Sequence, residues 1–240
     1  MTSLHAFIMP PSDLSSSLKR DMFGLFQECY EDVETAQFDD DLSAKDHIIL
    51  LKDRDDNIQG FTTLEVLDFE IEGGRSRAIY SGDTIVHPNH WGKLSLSRAF
   101  IGLVNGIRER SPETPLFWFL IVKGHRTYRY LPTYFRDYYP QYGKPTPSHL
   151  RQIIDHLSFE KFGAQYDHGK GVIQHTQPKD RLKPHYSSVP RKDIDRKEVQ
   201  YFLKRNPGYV DGDELACIAE ICSGNLHAHV NRAIQMSVAA

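Results

Sequence analysis

Residues 116–122 read Leu-Phe-Trp-Phe-Leu-Ile-Val, an apolar run that no polar residue interrupts. A strand with one solvent-exposed face alternates apolar and polar side chains, whereas a strand that is covered on both faces is apolar throughout. The run therefore predicts a central strand in a layered protein.

The chain before this run predicts two helices and a meander. Apolar residues at steps of three and four predict a helix over residues 14–29, with Ser12 as its cap. Further on, Ser95 is a plausible cap for a second helix that ends before Ser111. Between them, segments rich in β-branched and aromatic residues predict three antiparallel strands, at 47–51, 58–69 and 77–87.

The chain after the run predicts a helix, an insertion and a hairpin. The helix covers Tyr130–Tyr139, and the insertion covers residues 141–197, with a helix of its own at 148–162. Residues 199–203 and 215–221 are the strands of the predicted hairpin. This order predicts one domain over residues 1–240 with an α/β (α+β mixed) fold, in which helices cover both faces of a mixed, mostly antiparallel sheet.

Composition excludes several classes of protein. With 29 Lys and Arg against 32 Asp and Glu in 240 residues, the chain lacks the basic charge of a dedicated nucleic-acid-binding protein, and no nucleic acid is expected as a partner. Cys29, Cys217 and Cys222 match no disulfide or zinc spacing, so packing is their expected role and no metal site is predicted. No apolar stretch approaches the roughly 20 residues of a membrane span, and we expect a cytoplasmic protein.

The segment 79–94 reads Ile-Tyr-Ser-Gly-Asp-Thr-Ile-Val-His-Pro-Asn-His-Trp-Gly-Lys-Leu. With the order of elements, it resembles the GNAT (N-acetyltransferase-like) acyltransferase superfamily. The resemblance implies a GNAT-like fold, a glycine turn that holds the pyrophosphate of coenzyme A, and an acyl group between two central parallel strands.

The turn departs from the family pattern of Gln or Arg, two residues, Gly, one residue, then Gly or Ala. This chain has Asn89, Gly92 and Leu94 at those places. The expected donor is therefore either acyl-CoA or an acyl group on the phosphopantetheine of an acyl carrier protein. Either one is a co-substrate, and no permanently bound cofactor is expected.

Two segments carry a narrower resemblance. Residues 81–86 (Ser-Gly-Asp-Thr-Ile-Val) and 123–132 (Lys-Gly-His-Arg-Thr-Tyr-Arg-Tyr-Leu-Pro) are similar to GNAT-like maturases that attach fatty acyl groups to ribosomal peptides. The implied acceptor is a lysine or ornithine side chain of a precursor peptide. The alternatives are a small-molecule amine as acceptor, or a catalytically silent protein that only binds acyl thioesters.

Acyl transfer to an amine needs a base for the ammonium, donors for the carbonyl and a proton for the leaving thiolate. Asp83 lies in mid-strand, on the face that a period of two gives to Ser81. It is either the base or a structural carboxylate. Gly82 would permit a bulge that frees an amide, or serves packing alone. His87 is a further candidate base, although a solvated histidine at a strand end is the alternative.

Two tyrosines are candidates for the acid. The resemblance implies that a tyrosine on the helix after the second central strand protonates the thiolate, and Tyr134 and Tyr138 lie on the apolar face of that predicted helix. The alternative is that both rings only pack the helix onto the sheet.

Donor binding is expected at the turn and at the end of the central strand. Free amides at a helix N-terminus bind anions, and ligands bind beyond the carboxyl ends of the strands in α/β sheets. A solvated basic rim is the alternative for the charged members of this set. The predicted donor-binding residues are Ile85, Val86, His87, Trp91, Gly92, Lys93, Leu94, Ser95, His125 and Arg126.

Overall fold

The computed structural model describes residues 4–176 and 179–232 of the chain. Its helices are α1 (Ser16–Cys29), α2 (Thr35–Ser43), α3 (Ser95–Arg110), α4 (His125–Tyr128), α5 (Tyr130–Tyr134), α6 (Ser148–Phe162), α7 (Pro184–Ser187) and α8 (Lys197–Arg205). Its strands are β1 (His5–Met9), β2 (Tyr30–Glu31), β3 (His47–Lys52), β4 (Ile58–Ile71), β5 (Gly74–Val86), β6 (Leu116–Val122), β7 (Tyr166–Asp167), β8 (Val172–Ile173), β9 (Arg181–Leu182) and β10 (Glu214–Glu220). Short 3-10 turns occupy Pro11–Asp13, Pro88–His90, Gly163–Gln165 and Pro207–Asp211.

Within the described ranges, eight strands form one sheet in the order β1-β3-β4-β5-β6-β10-β8-β7. Neighbouring strands are antiparallel except for β5 and β6, which run parallel. The apolar run at 116–122 is β6, between β5 and β10, so the predicted central strand is confirmed. Two parallel strands, each followed by a helix, are the arrangement that the GNAT resemblance implies.

Helices cover both faces of this sheet. On one face α1 and α2 bury Phe26 and Phe38, and α6 buries Ile153 further along the same face. On the other face α3 and α8 bury Phe100 and Phe202. The predicted mixed α/β fold, with a mostly antiparallel sheet and helices on both faces, is confirmed.

A β-bulge in β5 changes which of its side chains share a face. The register with β4 shifts by one residue around Gly82. Ser81 accepts a hydrogen bond from Trp118 on the α3 face, whereas Ile85 packs with α1 and α2 on the opposite face. Asp83, two residues before Ile85, lies on this second face. The prediction that Ser81 and Asp83 share a face is therefore wrong, because the period of two is broken at the bulge.

The predicted C-terminal hairpin is also wrong. Residues 199–203 belong to α8, and the buried Val199 and Phe202 are three residues apart, as on one face of a helix. Over so few residues, an apolar pattern does not distinguish a helix from a strand. Residues 215–221 mostly form β10, as predicted, but β10 pairs with β6 and β8. The predicted insertion adds β7 and β8 to the edge of the main sheet.

The helix predicted over Tyr130–Tyr139 is shorter than expected. Only its first five residues are helical, as α5, which follows the separate short helix α4, and the backbone becomes extended at Phe135. Tyr139 exchanges two backbone hydrogen bonds with Ile218 of β10, at 2.8 and 2.7 Å. Pairing with the sheet thus replaces the last turns of the predicted helix.

The N-terminal region contains two elements that the sequence pattern does not predict. These are the edge strand β1 and the helix α2, which includes the acidic segment around Asp40. The cap of α1 is Ser15 rather than Ser12, because the Ser15 hydroxyl accepts from the amide of Leu18 at 3.2 Å. Among the described helices, none has the length and apolar character needed to cross a membrane.

Candidate active site

A cleft of about 870 Å³ opens where β5 and β6 part. The last residues paired between these parallel strands are Ser81 and Leu120, and β5 then continues through its bulge. Side chains from both faces of the sheet line the cleft, for example Tyr80 on the α6 face and Tyr134 on the α3 face. Two molecules that enter from opposite faces would meet at this gap.

The two walls of the cleft differ in chemistry, and we call them the turn side and the charged side. The turn side consists of Val86, residues 90–97, Arg126, Tyr130 and Tyr134. The charged side consists of Lys45, Tyr80, Asp83, Lys123, Lys161, His175, Asp180 and Glu214.

Asp83 is the carboxylate at the gap itself. Burial raises its pKa from 3.8 to about 7, an effect that Asp180 reinforces and that Lys123 and Lys45 oppose. None of the ion pairs among the described residues includes Asp83, although Lys123 pairs with Asp180 and Glu214 at 3.8 and 3.7 Å. Asp83 therefore keeps its proton to a higher pH than an ordinary aspartate, which suits a group that exchanges protons.

Glu214 anchors the opposite end of the charged side. It lies at the start of β10 and pairs with Lys123, and the His175 ring nitrogen lies 3.4 Å from its second oxygen. Although burial raises the pKa of Glu214, Lys123 and His175 hold it below the usual value. The pKa of Glu214 is thus lowered where that of Asp83 is raised, so the two carboxyl groups have different roles available to them.

Gly92 shapes the turn between β5 and α3. Its φ is +81°, in the left-handed region that glycine adopts without strain. The Trp91 indole donates to the carbonyl of Val86 at 2.8 Å and closes the turn. Lys93 donates to Nδ1 of His90 at 2.9 Å, so Nε2 of His90 carries the proton and donates to Gln59 at 3.1 Å. The turn is therefore held rigidly ahead of the first amides of α3.

Arg126 connects this turn to the predicted insertion. Its guanidinium lies 4.2 Å from the centre of the Trp91 ring and donates to the carbonyl of Tyr186 at 2.6 Å. The Tyr186 ring in turn meets the Trp91 ring edge-on at 6.0 Å. Residues of the insertion thus cover one end of the turn side.

Tyr134 faces the first turn of α3. Its hydroxyl donates to the hydroxyl of Ser97, and burial raises its pKa, so the hydroxyl remains protonated at neutral pH. A small apolar recess of about 30 Å³ opens beside it, with Phe100, Trp118 and Leu120 in its wall. The turn side therefore combines free helix amides, a neutral proton donor and an apolar recess.

Most predicted site residues line the cleft. They are Asp83, Ile85, Val86, Trp91, Gly92, Lys93, Leu94, Ser95, Arg126 and Tyr134.

Three predicted site residues do not line it. His87 lies outside the cleft and caps the 3-10 turn, where its ring accepts from the amide of Asn89 at 3.3 Å. His125 is completely buried at the start of α4, and burial lowers its pKa to about 4. Tyr138 lies beyond the end of α5 and packs against Tyr128 in the core. His87 is held by the turn that it caps, His125 is buried at the start of a helix, and the early end of α5 leaves Tyr138 in the core.

Five residues of the charged side were missed by sequence reasoning as site residues: Lys45, Lys161, His175, Asp180 and Glu214. They come from four separate parts of the chain, and each one is an ordinary polar or charged residue in its local pattern. The one available signal was Glu214, an acidic residue at the start of an apolar strand.

No family model matches the chain, and no curated protein matches it in sequence. Solved structures do match it in part. A conserved protein of Enterococcus faecalis V583, described as a probable N-acyltransferase, is 13% identical over 57% of this chain and 33% of its own, with a TM-score of 0.43. NAA60 of Arabidopsis thaliana, in complex with a bisubstrate analogue, is 17% identical over 56% of this chain and 84% of its own, with a TM-score of 0.39.

The GNAT family N-acetyltransferase YhbS of Escherichia coli, in complex with CoA, is 13% identical over 53% of this chain and 68% of its own, with a TM-score of 0.36. This chain spans only 33% of the length of the Enterococcus protein. Similarity at these identities and TM-scores concerns part of the fold and carries nothing about activity.

Proposed function

We propose that the protein is a GNAT-like N-acyltransferase that moves an acyl group from a thioester to an amine. The observation that supports this most is the position of Asp83. A carboxyl group with a pKa of about 7 lies where two parallel strands part, in a cleft that both faces of the sheet line. An amine that enters from one face would meet there a thioester that enters from the other.

In this proposal the amine arrives as an ammonium ion and gives one proton to Asp83, directly or through a water. The free amine attacks the thioester carbonyl, so that a C–N bond forms and the C–S bond breaks. The second amine proton ends on the departing sulfur, and Tyr134 is the group proposed to deliver it. The products are an amide, a free thiol and one proton that Asp83 returns to solvent.

The donor would lie along the turn side. The amides at the start of α3 and the guanidinium of Arg126 suit phosphate or pantetheine groups. Leu94 occupies the place of a small residue in the family pattern, and the residue is 57% exposed. Both acyl-CoA and an acyl group on a carrier protein are included in the proposal, and neither would remain permanently bound.

The acyl chain would enter the recess beside Tyr134. We include a fatty acyl group in the proposal, with a lysine or ornithine side chain of a precursor peptide as the acceptor. A recess of about 30 Å³ holds only the first carbons of such a chain, and Trp118 or Phe100 would have to move for the rest. A panel of chain lengths therefore belongs in the first experiment.

The experiment offers acetyl, octanoyl and palmitoyl groups, each on CoA and on a carrier protein, with lysine-containing peptides and small amines. Intact-mass spectrometry then identifies any acylated product. We expect Asp83→Asn to lower turnover about 10²–10³-fold. In the wild type, turnover should rise with pH through about 7, where Asp83 becomes ionised.

The matched control is Asp68→Asn, since Asp68 lies outside the cleft and pairs with Arg77 at 2.8 Å. Unchanged turnover and an unchanged pH profile in Asp83→Asn would remove the proposed base. Binding of donor without consumption would favour the second candidate, a silent acyl-thioester-binding protein, for which the exposed Leu94 is the specific observation.

A further inference from the structure

Two lysine ammonium groups share one carboxylate in the charged side. Lys161 lies 2.7 Å and Lys45 lies 3.8 Å from the same oxygen of Glu65. Both ammonium groups also lie over the ring of Tyr80, at 4.4 and 5.5 Å from its centre. The two lysines and Tyr80 line the cleft, whereas Glu65 is not part of its lining.

Holding the ammonium groups of Lys45 and Lys161 this close together is unfavourable unless negative charges offset their repulsion. The Lys45 side chain is only 6% exposed, and burial together with the charge of Lys161 lowers its pKa. A buried cation needs a partner of opposite charge. Among the described residues, Glu65 is the carboxylate within ion-pair distance of both lysines, while Asp41 and Asp83 raise the pKa of Lys45 without pairing with it. A second anion facing the cleft would balance the group.

The bulge glycine places Lys45 next to the proposed base. A Cβ at Gly82 would lie 2.9 Å from Cε of Lys45, so the lysine stem occupies the space that a side chain would take. Its ammonium is fixed from the other side by the carbonyl of Asp41, at the end of α2, at 2.8 Å. The lysine therefore reaches across the residue that precedes Asp83.

Negative charge lies on the other side of Lys45. Asp83 forms no ion pair with any residue that the structure describes, and the carboxylates of Asp180 and Glu214 pair with Lys123. Asp41 also lines the cleft, forms no ion pair among the described residues, and raises the pKa of Lys45. The charged side thus has a positive end at Lys45 and Lys161 and a negative position at Asp83.

We propose that the acceptor carries a carboxylate close to its amine. The carboxylate would bind between the ammonium groups of Lys45 and Lys161, over the ring of Tyr80, while the amine lies at Asp83. A free amino acid has this chemistry, and so does a peptide with an acidic group beside its acceptor amine. This inference rests on the proposed function and narrows its acceptor.

The test compares acceptors that differ only in the carboxylate, with whichever donor the protein consumes. These are lysine, lysinamide and cadaverine, together with a Lys-Asp and a Lys-Asn peptide. We expect the two acceptors without an α-carboxylate to show a KM at least 10-fold higher than lysine, with a similar kcat. The Lys-Asp and Lys-Asn peptides distinguish a peptide source of the carboxylate from a free amino acid.

The variant Lys161→Gln should raise the KM for lysine at least 10-fold and leave the KM for cadaverine unchanged. Lys161→Arg, which keeps the charge, should restore most of the affinity. The matched control is Lys170→Gln, because Lys170 is exposed and pairs with Asp167 outside the cleft. Lys161 is preferred to the more buried Lys45, whose loss threatens folding.

The outcomes separate the two proposals. Equal kcat/KM for lysine, lysinamide and cadaverine would overturn the inference and leave the acyltransferase standing. If no amine is acylated with any donor, the proposed function fails, and calorimetric binding of lysine against lysinamide, in the wild type and in Lys161→Gln, still decides the inference. Equal binding of these two compounds would overturn it.

Discussion

The turn side and the charged side of the cleft are built in opposite ways. Most of the turn side comes from one continuous segment, residues 86–97, whose shape depends on a left-handed glycine and on short hydrogen bonds. The charged side gathers residues from β5, α6 and β10 and from the loops that follow α2, β6 and β8. A local turn keeps its shape through its own residues, whereas a charged cluster exists only when distant parts of the chain are folded together.

After the loss of turnover expected for Asp83→Asn, the largest effect is expected at the turn side, from Tyr134→Phe. Loss of the hydroxyl should lower kcat about 10–100-fold with little change in KM, because the proton for the departing sulfur is lost. Steady-state kinetics with the best donor measures this. Tyr138→Phe is the control, since Tyr138 lies in the core outside the cleft. An equal loss in both variants would mean that the rings serve packing only.

The next effect is expected at the bulge, where Gly82→Ala should lower the stability of the protein. The new Cβ would lie 2.6 Å from the hydroxyl oxygen of Thr63 and 2.9 Å from Cε of Lys45. Relief of this overlap should cost roughly 1–3 kcal/mol in the free energy of unfolding, measured by urea denaturation. Gly106→Ala is the control, because nothing lies within 4 Å of a Cβ there. Full stability of Gly82→Ala would show that the bulge can shift freely.

The charged side should show a dependence of stability on pH. The folded pKa of Asp83 is raised from 3.8 to about 7, so the native state holds its proton longer than the unfolded state does. Stability from this group is therefore present at low pH and is lost as the pH rises from about 4 to 7. Asp83→Asn removes the charge, and it should therefore be more stable than the wild type at pH 8.

The same pair of proteins should unfold with similar free energies at pH 4, where Asp83 is largely protonated when folded. Urea denaturation at the two pH values measures the difference. A gap of equal size at both would mean that Asp83 is ionised in the folded protein at low pH, contrary to its raised pKa.

The smallest effect is expected from Gly92→Ala. A Cβ at Gly92 meets no atom within 4 Å, so only the φ of +81° opposes it. The cost should be about 1 kcal/mol in the free energy of unfolding, with Gly92→Asn costing less because asparagine tolerates this conformation better. A rise in donor KM in Gly92→Ala would connect the turn to donor binding. If neither the stability nor the donor KM changes, the turn is less rigid than its hydrogen bonds indicate.

The elements that the sequence predicted best are those whose pattern is local and long. The apolar run of β6, the meander β3-β4-β5, and the helices α3 and α6 were predicted within a few residues. The misinterpreted elements are short or depend on a partner. The segment 199–203 is too short for its period to separate helix from strand, and Tyr139 leaves its predicted helix because β10 offers hydrogen bonds.

The sequence by itself determined the mixed sheet, the glycine turn before α3 and the prominence of Asp83, because these follow from periodicity, backbone conformation and one misplaced charge. The tertiary structure decided on which face Asp83 lies, through the bulge at Gly82. It also decided which charges surround Asp83, since Lys45, Lys123, Lys161 and Glu214 meet only when their strands and helices pack. Electrostatic effects act through space, and no spacing along the chain encodes which charges become neighbours.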